Sequence, residues 1–467
     1  MGVPSTPVEW LPVLLEAMDA ELPRIRKNQR YASGQPDLPE MGHNLRASWK
    51  RFQKKSITDF GGLAVSAFCD RLRLQGPEAA RIGSSMDHPA LSVLRRIMRD
   101  NRVQVQVQDA VRDAEETGRG YLVAIDDYLL RASPLTFYAE PDPLRPWKAR
   151  AAVFISRDDV AGKDYATVIA NWRTQTFVRS ASNGDELMVG MNSGRWVVAG
   201  APVAIKSEVP VAIFERAGGH GLIEAHHGVI DRINLGKLQR LVTTAMQAFK
   251  QRAIKPGAAG EVLPDEDEDG NAINWGKILE PAPGALWDLP VPIDIWESAA
   301  TDIRPLLEGE KQDIRDFGAV SGVPIMMLMP EQNTATGAAQ IPMQFVLKAR
   351  AERDRFKPAL DVALVYALRN HGVELDESDT VDSLWDDPEF VTLTERFAAA
   401  VQAKGAGVSE RTIKRDILGM SPDQIQQDES DVATQMLTAA LMGVTGNADT
   451  GSGRSAVPSG AADTPRD

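Results

Sequence analysis

Apolar residues recur at helical spacing from the start of the chain. Leu11, Leu14, Leu15, Met18 and Leu22 fall on one face of residues 8–25 and predict a helix. A Gly- and Pro-rich loop follows over 33–42. A second apolar segment covers 57–74, and a third, over 88–116, reads as two helices joined near Asn101. The period then shortens. Gly120-Tyr121-Leu122-Val123-Ala124-Ile125 reads as a strand, and β-like runs continue at 151–155, 168–172, 176–178, 196–198 and 211–214. Turn pairs such as Asn183-Gly184 and Ser193-Gly194 separate several of them. The mixture predicts an α+β domain of antiparallel character.

The longest helical signal comes next, over 222–254. Leu222, His226, Ile230, Ile233, Leu238, Leu241, Ala245 and Phe249 recur without an intervening Pro, and Gly228 and Gly236 are its weak points. At ~1.5 Å per residue such a helix is on the order of 50 Å long, unusual for a globular domain. Residues 255–300 are rich in Pro, Gly and acids, with short apolar runs near Ile278 and Leu286, and predict a small insertion with short strands. Helix returns over 301–317. A polar stretch bearing Met326, Met327 and Met329 leads into a long helix over 336–370, with kinks expected at Pro342 and Pro358. Residues 383–444 read as helical, and the Gly, Ser, Ala, Pro and Asp of 445–467 predict disorder.

Composition narrows the function classes. With 467 residues, 43% of them hydrophobic, the chain can bury a sizeable core, and its length suggests roughly three domains. A clamp that grips DNA carries excess Lys and Arg to neutralise phosphates; this chain has a net charge of −13. It would meet DNA as a repelling wall, and solubility is the plainer reading of its charge. The single cysteine, Cys69, excludes a disulfide within the chain and reads as a small buried hydrophobe. No apolar run reaches the ~20 residues that span a membrane. The N-terminus lacks the pattern of a secretory signal, so assembly in a reducing cytosol is expected.

Motifs with chemistry fail at identifiable positions. There is no Gly-x4-Gly-Lys-Ser/Thr phosphate loop and no Gly-x-Ser-x-Gly elbow. Gly118-Arg119-Gly120 precedes a strand and reads as a helix stop. Asp265-Glu266-Asp267-Glu268-Asp269-Gly270 begins like a calcium loop, but its twelfth position is Gly276 and Pro264 stands where a helix should enter; an acidic solvated turn fits better. His226 and His227 are adjacent on a helix, so their side chains diverge by about 100° and do not chelate together. Residues 407–417 resemble the turn and second helix of a helix-turn-helix, with Ser409 as cap and Arg411, Lys414 and Arg415 toward phosphates; the acids that follow (Asp423, Asp428, Glu429, Asp431) favour an ordinary capped helix. No catalytic, cofactor-binding or metal-binding residues are expected.

The order of parts, with local sequence, resembles the portal proteins of tailed bacteriophages, especially those of actinobacterial hosts. The resemblance covers about 8–445. Arg30-Tyr31-Ala32-Ser33-Gly34 is similar to an early family segment, departing from it at Ala32, where an aromatic is usual. Asp70-Arg71-Leu72-Arg73-Leu74-Gln75-Gly76 is similar to the segment after the family's first buried helix, and Glu116-Thr117-Gly118-Arg119-Gly120-Tyr121-Leu122-Val123 to its helix-to-strand junction. Asp231-Arg232-Ile233-Asn234 through Phe249-Lys250-Gln251-Arg252 resembles its first stem helix. Val320-Ser321-Gly322-Val323-Pro324 and Thr336-Gly337-Ala338-Ala339 flank the loop that in the family faces the channel.

The resemblance implies a non-enzymatic, portal-type α+β subunit. Its parts would be an α/β wing over 1–220, stem helices over 221–254 and 301–319 and a small α/β clip over 255–300. A tunnel loop over 320–336, a long kinked helix and connection over 337–379, a helical crown over 380–445 and a disordered tail over 446–467 would complete it. The tunnel loop would place Met326, Met327, Met329, Gln332, Asn333 and Thr334 against DNA, and the clip would dock partners through Asp265, Glu266, Asp267, Glu268 and Asp269. A closed ring of twelve copies is implied, at one capsid vertex of the virion, passing double-stranded DNA non-specifically. Its implied partners are the terminase large subunit, the major capsid and scaffolding proteins and a head-tail adaptor, with no membrane and no cofactor. The alternatives are a packaging enzyme, which the missing phosphate loop disfavours, and a DNA-binding regulator using 407–417.

Overall fold

The computed structural model describes residues 4–40, 47–77, 79–83, 88–181, 195–248, 252–255, 265–266, 269–270, 272–275, 294–297, 301–330, 343–376, 379–389, 393–420 and 422–445. It divides into two compact units, a body over 1–390 and a C-terminal unit over 391–467.

The body opens with α1 (Pro7–Ala32), longer than the 8–25 expected. Thr6 caps it: its hydroxyl accepts the Glu9 N–H, and the Glu9 carboxylate accepts the Thr6 N–H. The predicted row of Leu11, Leu14, Leu15, Met18 and Leu22 is buried, with Trp10. It packs on a sheet through Tyr138, Val153, Ile155, Ala166 and Val168. Next come α2 (Ala47–Ser56), α3 (Phe60–Cys69), β1 (Ala80–Ile82), α4 (Leu91–Asp100) and α5 (Val103–Thr117). The break expected near Asn101 falls there, with Arg102 left-handed at φ 49°.

Gly118 ends α5 at φ 97°. A Cβ on it would lie 2.1 Å from the Gly219 carbonyl oxygen, so both the turn and the close approach require glycine.

Antiparallel strands follow as expected, but those at Tyr128–Ala132 and Phe137–Pro141 add to the runs the sequence marks, and the run expected over 168–172 stops at Ala170, because Asn171 and Trp172 form a turn. β2 (Arg119–Ile125), β3 (Tyr128–Ala132) and β10 (Val211–Glu215) make a three-stranded sheet in the order β10-β2-β3. β4 (Phe137–Pro141), β5 (Ala149–Asp158), β6 (Lys163–Ala170), β7 (Arg173–Ser180) and β8 (Val197–Val198) make a second sheet in chain order, and β9 (Val203–Ala204) pairs beside β7. Tyr121, Val123, Val211 and Ile213 of the first sheet share a core with Phe137, Ala152 and Ile169 of the second.

The second half of the body contains α6 (His227–Ala248), β11 (Arg252–Lys255), β12 (Asp294–Glu297), α7 (Arg304–Ser321), the one-turn α8 (Ile325–Leu328), α9 (Met343–Asn370) and β13 (Val381–Ser383). β11 pairs antiparallel with β12, Arg252 opposite Glu297 and Lys255 opposite Asp294. β13 pairs with β1. The main core gathers α3, α4, α5 and β2 around α9. Phe345 meets Phe68 at 4.7 Å between ring centroids, and Phe356 meets Phe214 at 5.8 Å.

Two expectations are corrected. Helix does not run through 222–254: a 3-10 turn at Glu224–His226 precedes α6, and Arg252–Lys255 is a strand. Lys255 precedes Pro256, which disfavours helical backbone at the residue before it, and β12 supplies the hydrogen bonds that a last helical turn would otherwise make. The stretch 320–336 is also not loop throughout, because α7 continues to Ser321 and α8 follows one turn later.

The C-terminal unit is helical among its described residues: α10 (Leu393–Gly405), α11 (Glu410–Thr412) running into a π-turn at Ile413–Ile417, and α12 (Pro422–Thr445).

Candidate functional site

The helix pair α6/α7 is antiparallel. Moving up α6 moves down α7: Arg232 bonds Asp313 at 2.7 Å and Asp316 at 3.1 Å, Arg240 bonds Glu310 at 3.0 Å, and Gln247 donates to the Thr301 carbonyl. One end of the pair is rooted in the body. Ile230, Ile233 and Leu238 of α6 and Ile314 and Phe317 of α7 are buried there. The Tyr31 hydroxyl donates to Asp231 at 2.8 Å and its ring stacks on His227 at 4.0 Å. Asn234 accepts the Thr58 N–H at 3.1 Å, and Lys237 donates to the Thr58 hydroxyl at 2.6 Å. Beyond Leu238 burial lapses: Leu241, Val242, Leu306 and Leu307 are only half-buried. The outer half of the pair is therefore less covered than its inner half, and in chain order it is followed by β11 and preceded by β12.

The residues expected in the tunnel loop are placed in part. Met326, Met327 and Met329 are half-buried on and just after α8, and Met327 and Met329 pack against the main core. Leu328 between them is buried. Gln332, Asn333 and Thr334 lie outside the described residues, as do Glu268 and Asp267 of the acidic run. Glu266 forms a β-bridge with Ala272, so Asp265, Glu266 and Asp269 border a tight turn.

The tempting motifs resolve into ordinary contacts. His227 stacks on Tyr31. Cys69 is buried, and burial with nearby Glu115 pushes its thiol pKa well up. Ser409 caps α11 by accepting the Thr412 N–H at 3.3 Å, as expected of the helix-turn-helix-like segment. Its cations are turned to protein acids: Lys414 pairs with Asp428 at 2.6 Å and Arg411 with Glu429 at 3.7 Å. Phosphate contacts there would have to break both pairs. No group of three or more potential metal ligands is found among the described residues, and no helix there is long and apolar enough to cross a membrane.

A buried charge network escapes sequence reasoning. Glu115 of α5 is fully buried, with Arg216 Nε 2.8 Å from its carboxylate and Glu352 of α9 3.6 Å from Arg216 Nη2. Burial pushes the Glu115 carboxyl up to about 7 against the pull of Arg216. In the same helix Asp113, bonded twice by Arg131, is pushed by burial up to about 6. Asp164 is held between Arg157 and Arg179 inside the larger sheet. Glu115, Arg216 and Glu352 come from distant segments, and no local spacing marks them.

The chain matches no family model, and a search of curated proteins returns no match. Among solved structures it is similar to a chain in the neck of a native GTA particle computed with C12 symmetry. The TM-score is 0.42 at 14% identity, covering 85% of this chain and 99% of that one. It is also similar to an HK97 family phage portal protein from Corynebacterium diphtheriae, at TM-score 0.34 and 11% identity, covering 74% of this chain and 97% of that one.

Proposed function

We propose that the chain is a ring-forming structural subunit, and specifically the portal of a tailed phage. The observation that carries this is the helix pair. An antiparallel α6/α7 pair is rooted in an α+β body, leaves Leu241, Val242, Leu306 and Leu307 half-buried in its outer half, and is followed by β11 and preceded by β12 in chain order. Apolar positions left half-open along that outer half suit packing against the same pair in a neighbouring copy, and a head-to-tail contact between identical copies closes into a ring. The order of this pair, its insertion, α8 and α9 is also the order of stem, clip, tunnel loop and long helix in the family that the sequence resembles.

In this reading the ring, of twelve copies, sits at one capsid vertex, and double-stranded DNA passes through it during packaging and ejection. The residues around Asp265, Glu266 and Asp269 meet the terminase and then a head-tail adaptor, the capsid and scaffolding proteins hold the outer body, and no step is catalytic. A wall of net negative charge keeps the duplex from sticking.

Negative-stain images of the purified chain should show rings with a central hole; a protein that stays monomeric at high concentration overturns the reading. Because Leu328 is buried, the tunnel-loop role is tested by exchanging only 331–335 for a Gly-Ser linker. Rings should persist while DNA packaging fails, and normal packaging removes the role.

A further inference from the structure

The body carries a charge inversion that the portal reading does not use. A cavity of about 350 Å³ opens between the start of α1, the β4–β5 connection, the β6–β7 turn and the last turns of α9. In a chain of net charge −13, this cavity is lined by four cations, Arg145, Lys148, Arg150 and Arg369, against two carboxylates, Asp142 and Glu208.

Three of the cations are uncommitted. Arg145 bonds Asp142 at 3.3 Å, and Asp142 already accepts the Leu144 and Arg145 N–H groups of its own turn. Among the described residues Lys148, Arg150 and Arg369 have no carboxylate within ion-pair distance. Arg150 lies over the Trp10 ring at 5.8 Å. Arg369 stands in the last turn of α9, where a cation complements the helix dipole but gains no partner. Burial, then Arg145 and Arg369, lower the Lys148 pKa, while Asp142 and Glu208 pull it up.

The aromatic side of the cavity is also unusual. Ala170 pairs with Arg173, so Asn171 and Trp172 are the two central residues of a hairpin turn, with φ 48° and 63°. A turn with both central residues left-handed favours Asn-Gly; here Trp stands in the glycine position. A bulky residue there is strained by roughly 1–3 kcal/mol, yet Trp172 is 52% exposed and so gains little from burial. Trp10, also lining the cavity, is 4% exposed and its indole N–H has no hydrogen-bond partner.

We infer that this cavity is a docking site for a short acidic segment of a partner protein, whose carboxylates enter among Lys148, Arg150 and Arg369 while a flanking apolar residue covers Trp172. A peptide fits better than a nucleic acid for two reasons. Asp142 and Glu208 can accept peptide N–H groups but repel a continuous phosphate backbone. A long polyanion also meets the field of the whole acidic chain, whereas a segment with two or three carboxylates responds to charges within about one Debye length, ~10 Å at moderate salt.

The test titrates the full chain with an acetylated Glu-Leu-Glu-Leu-Glu peptide, followed by tryptophan emission and by calorimetry, alongside its Gln-Leu-Gln-Leu-Gln counterpart. The acidic peptide should bind and the Gln peptide should not. Binding should weaken as salt shortens the Debye length to ~3 Å. Lys148→Gln and Arg369→Gln should each weaken binding about two- to fivefold, as expected for single, partly solvated ion pairs. Neither cation has an ion pair to lose among the described residues, so both variants should stay folded with near wild-type stability, Arg369→Gln losing only its favourable place at the α9 terminus. Trp172→Phe should remove most of the emission change while calorimetry still detects binding. Equal affinity for the two peptides, unchanged affinity in both charge variants, or tighter binding of a single-stranded oligonucleotide of equal charge overturns the inference.

Discussion

The body and the C-terminal unit handle apolar side chains in opposite ways. In the body a set of large aromatics fills the interior, Phe68, Phe214, Phe317, Phe345 and Phe356 all being essentially fully buried, although other apolar residues such as Leu144 and Trp172 stay exposed. In the C-terminal unit the buried apolar residues among those described are Ala400, Ile413 and Ile425, while Leu393, Phe397 and Val401 are 72%, 57% and 72% exposed. Those three recur every fourth residue on α10, so they form one stripe. On α12, Met436 and Leu437 are exposed as well. The body therefore has the interior of a self-sufficient domain, whereas the C-terminal unit keeps an apolar stripe that it does not cover with its own described residues. In the proposed ring, that stripe would be free to pack against further copies.

The largest expected effect separates the two kinds of phenylalanine. Phe356→Ala should cost about 3–5 kcal/mol in urea unfolding, the usual range for an aromatic removed from a packed core. Phe397→Ala should stay within about 0.5 kcal/mol of wild type in the unassembled chain, as exposed substitutions do, and should act on assembly. Similar losses at the two sites would erase the comparison.

A smaller effect comes from the charges that the body buries. Glu115 and Asp113 have folded pKa values near 7 and 6, above their unfolded values of about 4.3 and 3.9. The native state therefore holds more protons than the unfolded one in between. Their contribution to stability is complete below the unfolded values and is lost as pH rises through 6 to 7, on the order of 3 kcal/mol for each group. Glu115→Gln should flatten this fall between pH 5 and 8; an unchanged slope would show that the carboxyl is ionised throughout. The C-terminal unit has no counterpart among its described residues. Its Glu410 is lowered by Lys404, and Lys414 is raised by Asp428, both at the surface.

The smallest effect tests the helix pair. Arg240→Ala removes the 3.0 Å contact to Glu310 and should cost about 0.2–1 kcal/mol in the monomer, as partly exposed ion pairs do. A loss of several kcal/mol would mean that the pair, like the core, is integral to the body.

Much of the local structure was legible from residue order. The α1 row, the break at Asn101, the Gly118 stop and the run of antiparallel strands each follow from spacing or from one residue's backbone preference. The end of α6 was not, because the apolar period continues to Phe249 and beyond while the strand at Arg252–Lys255 depends on a partner about forty residues later. The cationic cavity was equally hidden: Arg145, Lys148 and Arg150 look like scattered surface charge until Arg369, more than two hundred residues on, arrives beside them.

By itself, then, the sequence determined most of the helices, several strands and turns, and the want of phosphate-loop and nucleophile-elbow motifs, because each of these depends on neighbours within about ten residues. Tertiary structure alone decided which carboxylates lose water, as Glu115 does between α5 and α9, and which cations stay unpaired, as Lys148 does. Desolvation and charge pairing depend on distance in space, and the chain brings these groups together only when it folds.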